Sequence, residues 1–220
     1  MSAAREEILR RVEAAKGGAS EPGIARSYRT AGRLDFQERV ALFCARAGEY
    51  RAVVRRIAHG ELEQAIVDAG AGRLAVPPGL PEAWRPAALD LVEDEGLTPY
   101  ELDAVDGVLT GCTVAIAETG SIVLTGGPHE GRRALTLVPD LHICIVEDAQ
   151  IVELVPEAFS ALAAAARRPI TFISGPSATS DIELNRVEGV HGPRRLVVLV
   201  TAASAPPAGQ PTTNSSVGSE

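Results

Sequence analysis

Apolar residues recur at two different spacings along this chain, and the alternation between them predicts the fold. From Asp35 onward Phe36, Val40, Phe43, Cys44 and Ala47 return every three to four residues, which is one face of a helix. Asp35 and Glu38 have the spacing of a capping box at its start. An earlier helix is expected over about 2–16, with Glu6 and Glu7 in its first turn, where carboxylates suit the positive end of the helix dipole. Gly17, Gly18, Ser20, Pro22 and Gly23 then interrupt the pattern. Further along, branched apolar runs predict strands over 50–57, 73–76, 88–92, 141–146, 170–174 and 196–200. Helical spacing predicts helices over 61–69, 99–108 and 155–167 between them. Two β-rich runs, 114–117 and 122–125, flank Glu118-Thr119-Gly120-Ser121 and predict a hairpin.

Strands that are apolar on both faces and alternate with helices define an α/β fold, with a mostly parallel sheet flanked by helices and an antiparallel hairpin. The expected organisation is an N-terminal helical arm and linker over 1–33, an α/β domain over 34–200, and a disordered tail over 201–220. In that tail Pro, Ser, Thr and Gly replace the branched residues that would offset the entropy of ordering.

Composition narrows the chemistry. The 220 residues are 45% hydrophobic and 23% charged, which suits one ordered domain with appendages. Acidic residues outnumber basic ones by 29 to 21, a net charge of -8, and nucleic acid is not an expected partner. Lys16 is the sole lysine, so Schiff-base and P-loop lysine chemistry have no candidate in the domain. Cys44, Cys112 and Cys144 stand far apart with no C-x-x-C spacing, and they cannot by themselves ligate an iron–sulfur cluster. No apolar run approaches the 18 residues of a membrane span and the start has no leader-like apolar core, so a cytoplasmic location is expected.

Two segments could carry chemistry. Glu118, Thr119, Gly120 and Ser121 place a carboxylate, two hydroxyls and a flexible glycine at the end of a buried strand, where Glu118 could act as a base; the same residues also suit a plain exposed turn. Ser174-Gly175-Pro176-Ser177-Ala178-Thr179-Ser180-Asp181 follows a strand and resembles an anion cradle at the start of a helix, beyond the carboxyl ends of the sheet strands. Ser180 or Asp181 as a helix N-cap explains much of the same composition. His129, His142 and His191 share no i, i+4 spacing, and no metal site is assigned. Arg132 and Arg133 are either carboxylate-pairing groups or a solvated pair. Cys144, in an apolar strand, reads as core.

Taken in order, DGVLTGCTVAIAETGSIVL (106–124), GRRALTLVPDLHICIVED (131–148), FISGPSATSDIELNRVEGVHGP (172–193) and the closing LVVLV resemble the lactate-utilisation protein C family, the LUD-domain proteins, over roughly residues 35–200. The resemblance implies a fold similar to ribose-5-phosphate isomerase, glucosamine-6-phosphate deaminase, CoA transferases and 5-formyltetrahydrofolate cyclo-ligase. It also implies a place in a three-protein system that oxidises L-lactate to pyruvate, with iron–sulfur clusters in companion subunits and no cofactor held by this chain alone. Family motif positions fall on Glu118, Thr119, Gly120, Arg133, His142, Gly175, Pro176, Ser177, Thr179, Asp181, Ile182, Glu183, His191, Gly192 and Pro193. Three positions depart from the family pattern: Ser121 stands for Thr, Ala178 for a frequent Arg, and Ser180 for Ala. Without that Arg, the loop would hold an anion by backbone N–H groups and hydroxyls.

The expected site sets Glu118 and His191 as catalytic groups around a small carboxylate or phosphorylated ligand. Thr119, Gly120, Ser121, Arg133, Gly175, Ser177, Thr179 and Asp181 would bind that ligand. Two other readings stay open: a non-catalytic subunit that organises the iron–sulfur partners, and a stand-alone isomerase or cyclo-ligase acting on a phosphorylated small molecule.

Overall fold

The computed structural model describes residues 3–17, 27–180, 186–189 and 191–202. Helix α1 (Ala3–Lys16) buries no residue. Helix α2 (Phe36–Glu49) opens with the expected capping box: Glu38 N donates to Asp35 Oδ1 at 2.9 Å and Asp35 N donates to Glu38 Oε2 at 3.0 Å. Its Val40, Phe43 and Ala47 are buried, while Phe36 stays exposed beneath the Arg39 guanidinium. Strand β1 (Val53–Ile57) starts later than its apolar run suggests, because Arg51 takes a φ of 67° in the turn that ends α2.

The chain continues through α3 (Leu62–Val67), β2 (Arg73–Val76), β3 (Asp90–Glu93), α4 (Pro99–Asp103), β4 (Gly107–Thr110), β5 (Val114–Ile116), β6 (Ser121–Leu124) and β7 (Leu141–Glu147). It closes with β8 (Ile151–Val152), α5 (Val155–Ala161), β9 (Thr171–Ile173), β10 (Ala178–Ser180), β11 (Arg186–Glu188) and β12 (Arg195–Thr201). β12 includes Thr201, where the tail was expected to begin; residues 203–220 of that tail lie outside the described residues.

Six strands form an entirely parallel sheet in the order β1-β12-β7-β4-β2-β3. The hairpin belongs to a second, four-stranded sheet in the order β8-β5-β6-β9. One expected helix is shorter than its pattern: 99–108 stops at Asp103, and Gly107 and Val108 instead pair with Leu74 and His142 in β4. Burial between two strands overrides local helical spacing there, and a side chain on Gly107 would lie 2.9 Å from Leu141 O. The helix expected over 155–167 likewise ends at Ala161 and passes into a 3-10 turn.

Alternation along β7 and β12 divides the core between the two faces of the main sheet. Ile143, Ile145, Val197 and Leu199 pack with Leu62, Ile66 and Leu74 on one side. Cys144, Val146, Leu196, Val198 and Val200 pack with Val40, Phe43, Ala47 and the hairpin residues Ala115 and Ile122 on the other. Each fully buried aliphatic side chain contributes roughly 1.5–3 kcal/mol, so both faces must be covered for the sheet to persist.

The linker ahead of α2 is tied to the domain. Glu153, whose side chain is 4% exposed, accepts from Arg33 N at 2.5 Å, Leu34 N at 2.7 Å and Arg29 Nη1 at 2.8 Å. The Leu34 bond foremost, then those from Arg33 and Arg29 against the cost of burial, holds this carboxyl below its ordinary value of 4.5. A group with a depressed folded pKa stabilises the fold above the unfolded value, and that contribution is lost as pH falls through the folded one. Thermal melts from pH 7 to pH 3 should therefore show wild type losing stability below about pH 4.5. Glu153→Gln should melt lower at neutral pH, with the gap closing on the acid side; a gap constant with pH would refute the linkage.

Candidate functional site

The loop after β9 is shaped by one backbone demand. Gly175 has a φ of 86°, and a Cβ there would lie 2.4 Å from Tyr50 O, so the chain turns hard against the end of α2. The loop is then stitched to the segment before β12. Ser177 N donates to Pro193 O at 2.8 Å, Gly189 N to Ser177 O at 2.9 Å and His191 N to Ser177 Oγ at 3.0 Å. The Ser177 oxygen accepts, and its hydroxyl hydrogen has no acceptor among the described residues, which leaves it able to donate to a ligand. The expected helix start is replaced by β10, which pairs antiparallel with β11 through Ala178–Glu188, Thr179–Val187 and Ser180–Arg186. Backbone groups here find partners across a ribbon instead of along a helix. Asp181, Ile182 and Glu183 lie outside the described residues.

A cavity of about 260 Å³ opens beside this loop. Residues 174–178 and 191–193 form its walls, with Arg133, Thr136, Leu137 and Phe172, and His142 and Leu196 also line it. Those last two are the second residues of β7 and β12, so the cavity lies at the amino ends of the main sheet's strands, not at the carboxyl ends as expected. The loop does follow the carboxyl end of a strand, but that strand is β9 of the second sheet.

The two arginines part company. Arg132 makes a two-bond pair with Asp94 at 2.8 and 2.9 Å and also donates to Leu97 O. Burial opposes ionisation of Asp94, but the Arg132 fork with Leu97 N and Gly96 N outweighs it and holds the carboxyl below its ordinary value. Arg133 has no ion pair among the described residues; its Nη1 donates to Thr171 Oγ1 at 2.6 Å at the cavity's edge. The loop carrying both is held by buried Glu130, which accepts from Thr113 Oγ1, Thr125 N and Gly127 N at 2.5, 2.6 and 2.9 Å.

His142 is 1% exposed, and its Nε2 lies 2.8 Å from Thr110 Oγ1. Cys112 and Cys144 are free, fully buried and in contact. Contact with Cys144 and then burial push the Cys112 thiol well above the usual range. The Cys112 hydrogen bond foremost, then one from His142 against burial, lowers Cys144.

The hairpin turn reaches this region by one side chain. Ser121 Oγ and Ser174 Oγ are 2.6 Å apart, and Thr119 Oγ1 donates to Ser121 Oγ at 2.8 Å. None of residues 118–121 lines the cavity. Glu118 is half-exposed and faces Arg29 Nη2 at 3.5 Å. Gly120, with a φ of 61°, packs against the backbone of Arg46 and Ala47. Of the expected site residues, the structure brings Arg133, Gly175 and Ser177 of the ligand-binding set and His191 of the catalytic pair together around the cavity. Thr179 lies on β10. The expectation omitted His142 from the site and Ser174 from the ligand contacts; the available signal for the first was a lone histidine opening the apolar run LHICIV.

A parallel-sheet domain with a glycine-serine loop folded onto a G-V-H-G-P segment defines the class, and the chain belongs to the LUD domain family, whose model matches residues 91–201. It is 46% identical to lactate utilization protein C of Deinococcus radiodurans over 202 residues, 90% of this chain and 95% of that one. It is 42% identical to lactate utilization protein C of Bacillus pumilus over 92 residues, 39% of this chain and 38% of that one. The crystal structure of a DUF162 family protein from Deinococcus radiodurans superposes with a TM-score of 0.69 at 43% identity, covering 77% of this chain and all of that chain.

Proposed function

We propose that this chain serves in lactate utilisation, as a cytoplasmic subunit of a system that oxidises L-lactate to pyruvate beside iron–sulfur companion subunits. The observation that carries the reading is the cavity where Arg133, Ser177, His142 and His191 converge. Its volume, about 260 Å³, falls below the roughly 300–1,000 Å³ of sites for drug-sized ligands and suits a small metabolite. Arg133 would pair the carboxylate of lactate, and the Ser177 hydroxyl would donate to it. Oxidation to pyruvate releases two electrons and two protons. His191 would take the hydroxyl proton, His142 would take the Cα proton, and the two electrons would pass to clusters in the companion subunits. Kinship with proteins named for lactate utilisation supports the process, and the convergence of anion-binding and proton-accepting groups supports the site.

Complementation of a strain lacking this gene tests the reading. His191→Gln and Arg133→Gln should each abolish growth on L-lactate at normal protein levels, whereas Glu118→Gln, outside the cavity, should grow. Normal growth of the first two variants would refute the site. L-lactate should also raise the melting temperature of wild type by the amount that mass action dictates for its affinity.

A second reading, the non-catalytic assembly subunit, is favoured by one observation: α1 exposes Ile8, Leu9 and Val12 and buries nothing. It predicts that removing residues 1–16 abolishes co-purification with the iron–sulfur subunits. It also predicts that His191→Gln leaves growth intact.

A further inference from the structure

A second concavity adjoins the first. It has a volume of about 400 Å³ and shares Arg133, Thr136 and Thr171 with the smaller cavity. Arg132 and Arg168 also line it, and no carboxylate does among the described residues. The charge of Arg132 is already met by Asp94. Arg133 and Arg168 have no ion pair among the described residues, so two arginines without a carboxylate partner among those residues line one hollow in a chain whose net charge is -8. Two guanidinium groups brought to one hollow repel each other, and an anion between them would relieve that repulsion.

We infer that the larger concavity is a phosphate site, with the phosphate group of a second ligand seated between Arg133 and Arg168 beside the smaller cavity. This inference goes beyond the reading of the smaller cavity given above, which keeps its small carboxylate. A phosphate suits the pair better than a second carboxylate. It offers up to two negative charges and three oxygens to two planar forks, and Arg133, which lines both hollows, would stand between the two anions. Arg168 is exposed, so replacing it should leave the fold intact.

Titration calorimetry at pH 7.5 with inorganic pyrophosphate as the probe, and with L-lactate in parallel, tests the assignment on the full chain. Wild type should bind pyrophosphate, and Arg168→Gln should weaken that binding about tenfold, the usual scale for one lost charge-assisted pair. Arg168→Lys, which keeps the charge but not the fork, should fall between them. Arg46→Gln, which removes a distant surface charge from α2, should stay within about twofold of wild type. Absence of pyrophosphate binding, or equal losses in Arg168→Gln and Arg46→Gln, would overturn the inference. Binding of pyrophosphate without L-lactate would leave the phosphate site standing and refute lactate as occupant of the smaller cavity. Binding of L-lactate alone would do the reverse.

Discussion

Replacing Glu130 by alanine should lower the stability of this chain by about 3–5 kcal/mol, among the largest losses a single substitution produces. Glu130 is 1% exposed and lies at the centre of the turn between β6 and the two arginines. Its carboxylate accepts from Thr113 Oγ1, Thr125 N and Gly127 N, and from Thr125 Oγ1 at 3.2 Å. Alanine would strand two buried backbone donors, Thr125 N and Gly127 N, each costing about 1–3 kcal/mol when unpaired, and would leave the Thr113 and Thr125 hydroxyls with only each other. Glutamine keeps an acceptor oxygen but turns an amide against a neighbouring donor, so it should lose less than alanine and still be destabilised. Urea denaturation should show a lower midpoint at unchanged slope for both variants. Because Arg133 hangs from this loop, ligand binding should weaken under conditions where the alanine variant is still folded. An alanine variant within about 1 kcal/mol of wild type would mean that the loop holds itself without its carboxylate.

Gly120→Ala should cost about 3 kcal/mol or more, for a reason unconnected with ligand binding. The residue has a φ of 61°, and an added Cβ would sit 2.4 Å from Ala47 N and 2.5 Å from Arg46 C. These are backbone atoms of α2, which cannot swing aside as a side-chain tip would. Gly126 supplies the control: its φ is 67°, but the nearest atom to an added Cβ is Gly131 O at 3.6 Å. Gly126→Ala should therefore pay only the left-handed backbone penalty, about 1–2 kcal/mol. The difference between the two melts isolates the contact of the hairpin tip with α2. Equal losses would show that conformation alone keeps glycine at both positions.

Much of the domain was legible before any coordinates. The capping box at Asp35, the strand Arg73–Val76, the hairpin around Glu118–Ser121 and the long apolar strands near 141 and 196 all follow from patterns spanning fewer than a dozen residues. The candidate site was legible in its parts. Ser177, Gly175, Arg133 and His191 were all marked by residue type, and the cavity assembles all four. Other features were not legible, and in each case the deciding partner is far away in the chain. Val108 leaves the helical pattern because it lies between Ala75 of β2 and His142 of β7. The segment after Ser177 becomes a ribbon because residues 186–188 return to pair with it. Glu118 points to Arg29, a residue in a linker that no local pattern ties to the hairpin.

By itself the sequence determined most of the strands and helices and which side chains could hold an anion or move a proton, because periodicity and residue chemistry are local properties. Only the tertiary structure decided that the second residues of β7 and β12 line the cavity, that Asp94 holds Arg132 while Arg133 has no ion pair among the described residues, and that Ser121 meets Ser174. Those outcomes depend on how two sheets stack and on which distant groups satisfy one another's charges and hydrogen bonds, and no spacing along a single chain encodes that directly.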